Sequence, residues 1–440
     1  MSAIINIIVA AVLIFKCLQS ANRKGQWDSI HERLLVFVLM TGMFQIGGYT
    51  LFLNLSAWRL LIWIGIVAFV LFSRNNPKYY KPSKTLDLNV IFYSLFLIWC
   101  VYEWTRAPDL MFGFRTFLKL LYPFLILMLA RKATQSKNFY QYLQKVAIAT
   151  LVISIFTSGI SEKIPYLVYN PFLKNIFWPR ATFADHSAII IGIILIMIYY
   201  KGSSLKIKKK YMYGLSWLLL SPIAVANRTG LLATSAVISG FFFIKYKTKA
   251  VPIIIAVFFI GVFVFTSIDS FRKNTFYKTK NASAENIYKG NIDFDNINSS
   301  GRFSRWEIIL RKLYIRNKMV GSGLGAQQHE MYIYAKYYGG LKVVHSDYVI
   351  LLCDTGIIGL FLYLTFAFTA LFTGFKYAWH GTTKTIKTSG TLVVTSWLAC
   401  LCAMAFDNVF NYSLPVHSLP FAFTGMLLGM INNKEQLTNQ

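Results

Sequence analysis

Apolar stretches long enough to cross a bilayer recur along nearly the whole chain, and one long polar segment, 268–345, breaks the series. Such a chain is driven into helices, because a loop or sheet edge in hydrocarbon leaves backbone N–H and C=O groups without partners. Candidate spans are 3–20, 34–54, 57–73, 88–105, 111–130, 144–160, 186–201, 211–227, 229–245, 250–267, 348–377, 390–406 and 414–431. The first is weak, and 34–54 and 57–73 are tightly spaced. The pattern therefore predicts an all-α polytopic membrane protein of about twelve (12–13) transmembrane helices, forming one integral-membrane domain, 1–440. The run at 3–20 has no basic region before it and no small-residue cleavage pattern after it, so it reads as a retained span and not as a signal peptide.

Composition agrees: 56% of residues are hydrophobic and only 14% charged, a balance meant for lipid. The net charge of +28, from 45 Lys and Arg against 17 Asp and Glu, would suggest nucleic acid in a soluble chain. Here much of it sits in short connections, where it sets membrane orientation and attracts anionic lipid; no nucleic-acid partner is implied. The basic connections 74–84, 131–145, 201–210, 245–249 and 376–387 are expected on the cytoplasmic side, which puts the mixed ones, near Arg106, 163–180, 226–230, the long loop and 407–415, on the outer side. The five cysteines, Cys17, Cys100, Cys353, Cys400 and Cys402, lack ligand-like spacing, so no disulfide or metal framework is expected.

Within the long loop, 281–300 is polar and reads as irregular, whereas 303–318 places Phe303, Trp306, Ile309, Leu310 and Leu313 at helical spacing, the mark of an amphipathic helix on the membrane face. Gly321, Gly323 and Gly325 follow. They lack the Lys and Ser/Thr of a phosphate-binding loop and read as a flexible turn, leading to Tyr332, Tyr334, Tyr337 and Tyr338.

Chemistry-bearing residues gather on the expected outer side. Arg228 stands in a short break between two apolar runs, either snorkelling to headgroups or binding an anion with the helix start at Thr229 and Gly230. Arg180 poses the same choice; Asp185 and His186 beside it are adjacent in sequence and do not point the same way, so a structural role for His186 is favoured over catalysis. Arg302 and Arg305, three apart, share a face and can reach one diphosphate, unless they only meet lipid headgroups. His345 stands where the loop ends; a neutral imidazole there can accept a hydroxyl proton, the alternative being a hydrogen-bonded helix cap. Arg115 and Lys119 lie inside a span, four apart on one face near its outer end, where facing an anionic ligand is far cheaper than facing lipid; they are candidates for a lipid-phosphate site. Trp306, Tyr332 and Tyr334 can stack on sugar faces or anchor at the interface.

The arginine before Thr229-Gly230, Gly301-Arg302 with Trp306, Gly321-x-Gly-x-Gly325, and His345-Ser with Gly356-x-x-Gly359 together resemble the O-antigen ligase and Wzy-type polymerase superfamily, over roughly 180–432. That resemblance implies a glycosyltransferase of the bacterial cytoplasmic (inner) membrane, similar to the GT-C class, working on its periplasmic or extracytoplasmic side. It is expected to be metal-independent, to need no cofactor and to invert. The donor is a glycan on undecaprenyl diphosphate and the acceptor a second glycan or lipid A-core; membrane lipids, a chain-length regulator and a flippase are further candidate partners. Carried onto this chain, the essential residues are His345, Arg228 and Arg302, with Arg180, Arg305, Arg115, Lys119, Trp306, Tyr332 and Tyr334 binding substrate. Ser346 stands where the family often has Asn, and Asn227 where many relatives have Ser. Polymerisation of lipid-linked repeat units is the first expectation, because the superfamily has many polymerase branches, and ligation to lipid A-core is the alternative. Transport of a lipid-linked glycan fits less well, since the polar groups gather on one side and no inverted repeat is evident.

Overall fold

The computed structural model describes residues 2–22, 27, 29–44, 55–73, 77, 87–135, 137–157, 180–201, 205–224, 227–268, 302–334 and 343–438. Its elements are α1 (Ser2–Ala21), α2 (Ile30–Thr41), α3 (Leu55–Phe72), α4 (Leu88–Thr105), α5 (Leu110–Ala133), α6 (Phe139–Thr157), α7 (Arg180–Ile196), α8 (Leu205–Ala224), α9 (Arg228–Tyr246), α10 (Val251–Ser267), α11 (Arg302–Ile309), α12 (Ala326–Ile333), α13 (Asp347–His380), α14 (Lys384–Phe406) and α15 (Ser418–Thr438). The elements formed by the described residues are helices, as the apolar runs require.

Seven of these stretches are long and apolar enough to cross a membrane: Leu88–Thr105, Leu110–Ala133, Thr182–Tyr200, Arg228–Val264, Asp347–His380, Lys384–Phe406 and Val409–Asn432. Among the described residues the count is thus seven, and not the expected twelve or so. The runs expected at 229–245 and 250–267 are the helices α9 and α10, which pack on each other across the turn 247–250 within one continuous apolar stretch, Arg228–Val264. Near 3–20 and 57–73 lie α1 and α3, of 20 and 18 residues, of which Ala11–Ala21 and Leu60–Phe72 are the apolar stretches with described side chains. Only Ile30–Thr41 of the run near 34–54 forms a helix among the described residues, and α8 begins with Lys206, Lys208, Lys209 and Lys210. The polar stretch 281–300, the tyrosines Tyr337 and Tyr338, and most of 74–84 and 163–180 lie outside the described residues.

The bundle centre is formed by α4, α5, α13, α14 and α15, with α7 and α9 packed on α14. Its interior is aromatic: Tyr93, Phe96, Tyr363, Phe366, Trp397 and Phe421 are fully buried. Their polar tips are satisfied, with the Tyr93 hydroxyl donating to the Leu120 carbonyl at 2.8 Å, Tyr363 bonded to His417 Nε2 at 2.8 Å and the Trp397 indole donating to Thr424 Oγ1 at 3.0 Å. In lipid such contacts bind helices where hydrophobic burial cannot, each worth about 0.6 kcal/mol on average. Helix α10 packs on α9 and turns Phe258, Phe259, Ile260 and Phe263 outward, as a lipid-facing helix does.

The bundle has two chemically distinct ends. One carries the described basic connections at the C-termini of α5, α9 and α13, where Arg131 pairs with Asp87 at 2.6 Å. The other gathers the C-termini of α4 and α14 and the N-termini of α5, α7, α9 and α13. The long polar segment returns to this second end.

The amphipathic helix expected at 303–318 is present as α11 continued through looser turns to Asn317. Ile309, Trp306, Ile308, Leu310 and Leu313 pack on Met331, Val344, Val349, Ile350 and Cys353. The glycine-rich turn, by contrast, is not flexible. Gly321, Gly323 and Gly325 are buried with φ of 80°, 99° and 80°, and their backbone fills a break in α13 at Gly356 (φ 65°). The broken helix leaves the Ile357 and Ile358 amides without their usual partners, and the carbonyls of Lys318 and Met319 take them at 2.9 and 3.2 Å. In return Ser322 N donates to Cys353 O at 2.8 Å and Leu324 N to Glu103 O at 2.9 Å. A Cβ on Gly321 would stand 2.6 Å from Gly356 N, and one on Gly323 only 2.4 Å from the Arg106 carbonyl oxygen. Glycine serves here for close backbone approach, not for mobility.

Candidate active site around His345

Helix α14 ends at Phe406, and the two polar residues that follow, Asp407 and Asn408, organise this end of the bundle. Asn408 clamps His345 twice: its Oδ1 accepts from the His345 backbone N–H at 3.0 Å, and its Nδ2 lies 2.9 Å from His345 Nδ1. The clamp holds a strained residue, since His345 has φ of 56°, a left-handed conformation costing roughly 1–2 kcal/mol in a residue with a Cβ. Asp407 Oδ1 lies 3.5 Å from the same Nδ1, and also accepts from Asn408 N at 2.8 Å and the Tyr412 hydroxyl at 3.3 Å. The ring is one quarter exposed and has Nε2 left for a substrate. Because the backbone N–H fixes Oδ1 of Asn408, its amide nitrogen faces Nδ1 as a donor, so the resting neutral ring carries its proton on Nε2.

Arg302 opens α11 and reaches the same loop, donating from Nη1 to the Phe406 carbonyl. Burial draws its guanidinium below the ordinary arginine value, while Asp407, Tyr412 and Asp185 oppose that shift; it stays a cation. Arg305, one turn on, adds like charge beside it. Trp306 is committed to the protein: its indole donates to the Val344 carbonyl at 2.8 Å, next to His345, and its ring lies near Phe303 and Phe406.

Arg228 is the first residue of α9, capped by Asn227, whose Oδ1 accepts from Gly230 N at 2.7 Å. Gly230 lets α9 close on α7: a Cβ there would come within 2.6 Å of the Ala184 Cβ. That contact sets Arg228 beside the start of α7, where Arg180 is the first residue and Asp185 is buried facing Asp407. Arg228 thus joins His345 and Arg302 at one end of the bundle. His186 does not take part: its Nδ1 and Nε2 are bonded to the Pro415 carbonyl at 2.5 Å and Thr150 Oγ1 at 2.9 Å.

Arg115 and Lys119 approach from another direction, on α5. Lys119 Nζ donates to Asn411 Oδ1 at 2.6 Å, close to buried Asp347, whose Oδ2 accepts from Phe410 N at 3.2 Å. Arg115 lies one turn nearer the rim, its guanidinium 5.8 Å from the Phe112 ring centre. Tyr332 meets Phe112 at 5.7 Å, and Tyr334 takes Lys312 Nζ over its ring at 4.0 Å. Both tyrosines are about half exposed and flank α5 and α11, not the His345 loop.

Four acidic or amide groups that build this end of the bundle carry no motif of their own in the sequence. Asp407 and Asn408 lay in view as the polar break between two apolar runs. Asp347 and Asp354 are carboxylates in an apolar run, which is by itself a sign of purpose. Asp354 receives Gly325 N at 2.9 Å and Gln327 N at 2.8 Å, and so caps α12, which has no side-chain cap of its own. Among the described residues no three His, Cys, Asp or Glu side chains are grouped as metal ligands would be.

Residues 213–364 match a family model described as O-antigen ligase, a stretch that contains Arg228, Arg302 and His345 and ends before Asp407. No curated protein matches the chain.

Proposed function

As a member of the O-antigen ligase and Wzy-type polymerase family, the protein is a multi-pass membrane enzyme acting on lipid-linked glycans, and we propose that it moves a glycan from undecaprenyl diphosphate to an acceptor sugar at the His345 cluster. The functional unit spans 180–432, and the cluster faces the periplasmic side. The charge pattern supports that orientation, since the described basic connections leave from the opposite end.

The observation that carries the reading is the meeting of His345 with Arg302 on the Asp407–Asn408 turn. The diphosphate is already an activated leaving group. Arg302 and Arg228, helped by Arg180 and Arg305, offset the charge that grows on it as the anomeric bond breaks. His345 Nε2 faces the acceptor hydroxyl. To act as base there it must move its proton to Nδ1, where Asp407 stands ready to receive the hydrogen bond in place of the Asn408 donor. The acceptor oxygen then attacks the anomeric carbon as the carbon–phosphate oxygen bond breaks, with inversion.

Polymerisation is the weaker of the two expected outcomes. The matched model is described as O-antigen ligase, which supports transfer of the glycan to lipid A-core better than the count of polymerase branches supports chain growth. Purified enzyme given the lipid-linked glycan and lipid A-core yields the joined product, and Arg302→Ala or Arg228→Ala lowers the rate by about a hundredfold or more in protein that remains folded in the membrane. Normal turnover by both variants sinks the arginine assignment. A ladder of products from the lipid-linked repeat unit alone shows polymerisation instead.

A further inference from the structure

The charged groups of the site fall on two flanks of one segment. Val409–His417 runs between α5 and α7. On the α7 flank stand Arg302 and Asp185, grouped around Asp407, with Arg228 at the start of α9 where α9 packs on α7. On the α5 flank stand Lys119, bonded to Asn411 of the same segment, and Arg115 one turn toward the rim, about 6 Å further along the axis.

Arg115 is poorly matched by its surroundings. Its Nε is buried without a hydrogen-bond partner, and it makes no ion pair with a carboxylate among the described residues. The carboxylate that acts on it electrostatically, Asp109, is spent on the start of α5, its Oδ1 accepting from Met111 N at 2.8 Å and Phe112 N at 2.9 Å. A guanidinium kept in such a place at the edge of a membrane helix calls for an anionic partner from outside the chain. Its fork suits a phosphate or carboxylate, and the neighbouring Phe112 and Tyr332 rings offer faces to a sugar.

Inversion adds the direction. The nucleophile must arrive opposite the leaving group, so a diphosphate held on the α7 flank leaves the α5 flank to the acceptor. We propose that Arg115, with Lys119 beneath it, forms an acceptor subsite for a phosphate or carboxylate borne by the acceptor oligosaccharide, and does not hold the donor diphosphate. This rests on the transfer reaction proposed above and adds the acceptor's charge and path. It also reassigns the pair from the lipid-phosphate role expected of it.

The test compares wild type, Arg115→Gln and Arg115→Lys, reconstituted in vesicles of neutral lipid, on a phosphorylated acceptor oligosaccharide and its phosphatase-treated form. Arg115→Gln is expected to lower the kcat/KM ratio of phosphorylated over dephosphorylated acceptor about tenfold, with the donor KM within about twofold of wild type and partial recovery in Arg115→Lys. A rise in donor KM with an unchanged acceptor ratio assigns Arg115 to the diphosphate and overturns the proposal. So does an unchanged ratio with unchanged donor KM, which leaves the cation a structural group. Inhibition of wild type by added anionic-lipid vesicles that Arg115→Gln escapes, with the acceptor ratio unchanged, assigns it to a lipid headgroup, and overturns it equally. Direct binding of the two acceptor forms separates the two levels: selective, Arg115-dependent binding of the phosphorylated form without any transfer refutes the reaction and leaves the subsite standing.

Discussion

Two stretches of the extramembrane segment are fixed to the bundle by different means. At the glycine end, backbone meets backbone: the Gly321–Gly325 turn fills the break in α13 at Gly356, and the amides of each chain bond to carbonyls of the other. At the histidine end, side chains do the holding, with Asn408 and Asp407 on His345 and the Trp306 indole on Val344. The first arrangement tolerates no added atom. The second uses groups that can exchange donors for acceptors, as the proton transfer proposed for His345 requires, and the close-packed glycine turn lies some twenty residues away.

The contrast breaks most sharply at Gly321. Alanine there meets both a positive φ and a Cβ clash with Gly356 N, Asp354 C and Thr355 N at 2.6 to 2.7 Å. The left-handed backbone costs roughly 1–2 kcal/mol and the overpacking a further ~1–3 kcal/mol. Gly321→Ala should therefore unfold well below wild type in detergent, with loss of transfer as a consequence. A variant with an unchanged thermal midpoint would show the turn to be the mobile one that the glycine spacing suggests.

That spacing illustrates what was legible. Apolar runs gave the helices, because hydrocarbon leaves the backbone no alternative, and the amphipathic pattern of 303–318 gave α11. Arg228 and His345 stood out as titratable groups at the ends of apolar runs, and Arg302, with Arg305, as a shared charged face opening the amphipathic helix of the loop. Their meeting place did not. His345 and Asn408 are 63 residues apart and belong to different helix connections, and nothing local in either states that they touch. The glycines were misread for a related reason: a glycine needed for close approach and one needed for motion look alike until the backbone on the other side, here Arg106 and Gly356, is known. Fewer spans are found among the described residues than apolar runs in the sequence, since a hydropathy pattern gives the run but not how much of it is helix, as where only Ile30–Thr41 near the run 34–54 is a described helix.

At the histidine end the comparison is sharpened by Asn408. Alanine removes both bonds to His345, and supporting contacts of this kind are commonly worth about 10- to 100-fold. The expected result for Asn408→Ala is a fall of that size in kcat with donor binding retained. Asn408→Asp separates the two jobs. Its carboxylate still accepts from the His345 N–H but offers an acceptor to Nδ1, favouring the proton there and freeing Nε2 as the base. Asn408→Asp should thus keep more activity than Asn408→Ala; equal loss in both means that the orientation of the proton on the ring does not limit turnover.

The smallest effect lies at Trp306, where position and substrate contact make opposite forecasts. Its indole N–H bonds to the carbonyl next to His345, while its ring lies near Phe406 and Phe303. Phenylalanine keeps an aromatic face and loses the hydrogen bond, a change of about 1 kcal/mol. If Trp306 acts by holding the histidine end, Trp306→Phe lowers kcat about fivefold with acceptor KM unaltered. A ring that stacks on a sugar instead predicts wild-type behaviour for Trp306→Phe and a raised acceptor KM for Trp306→Ala. The geometry supports the first outcome, since the indole nitrogen that a sugar hydroxyl would use is already taken by Val344.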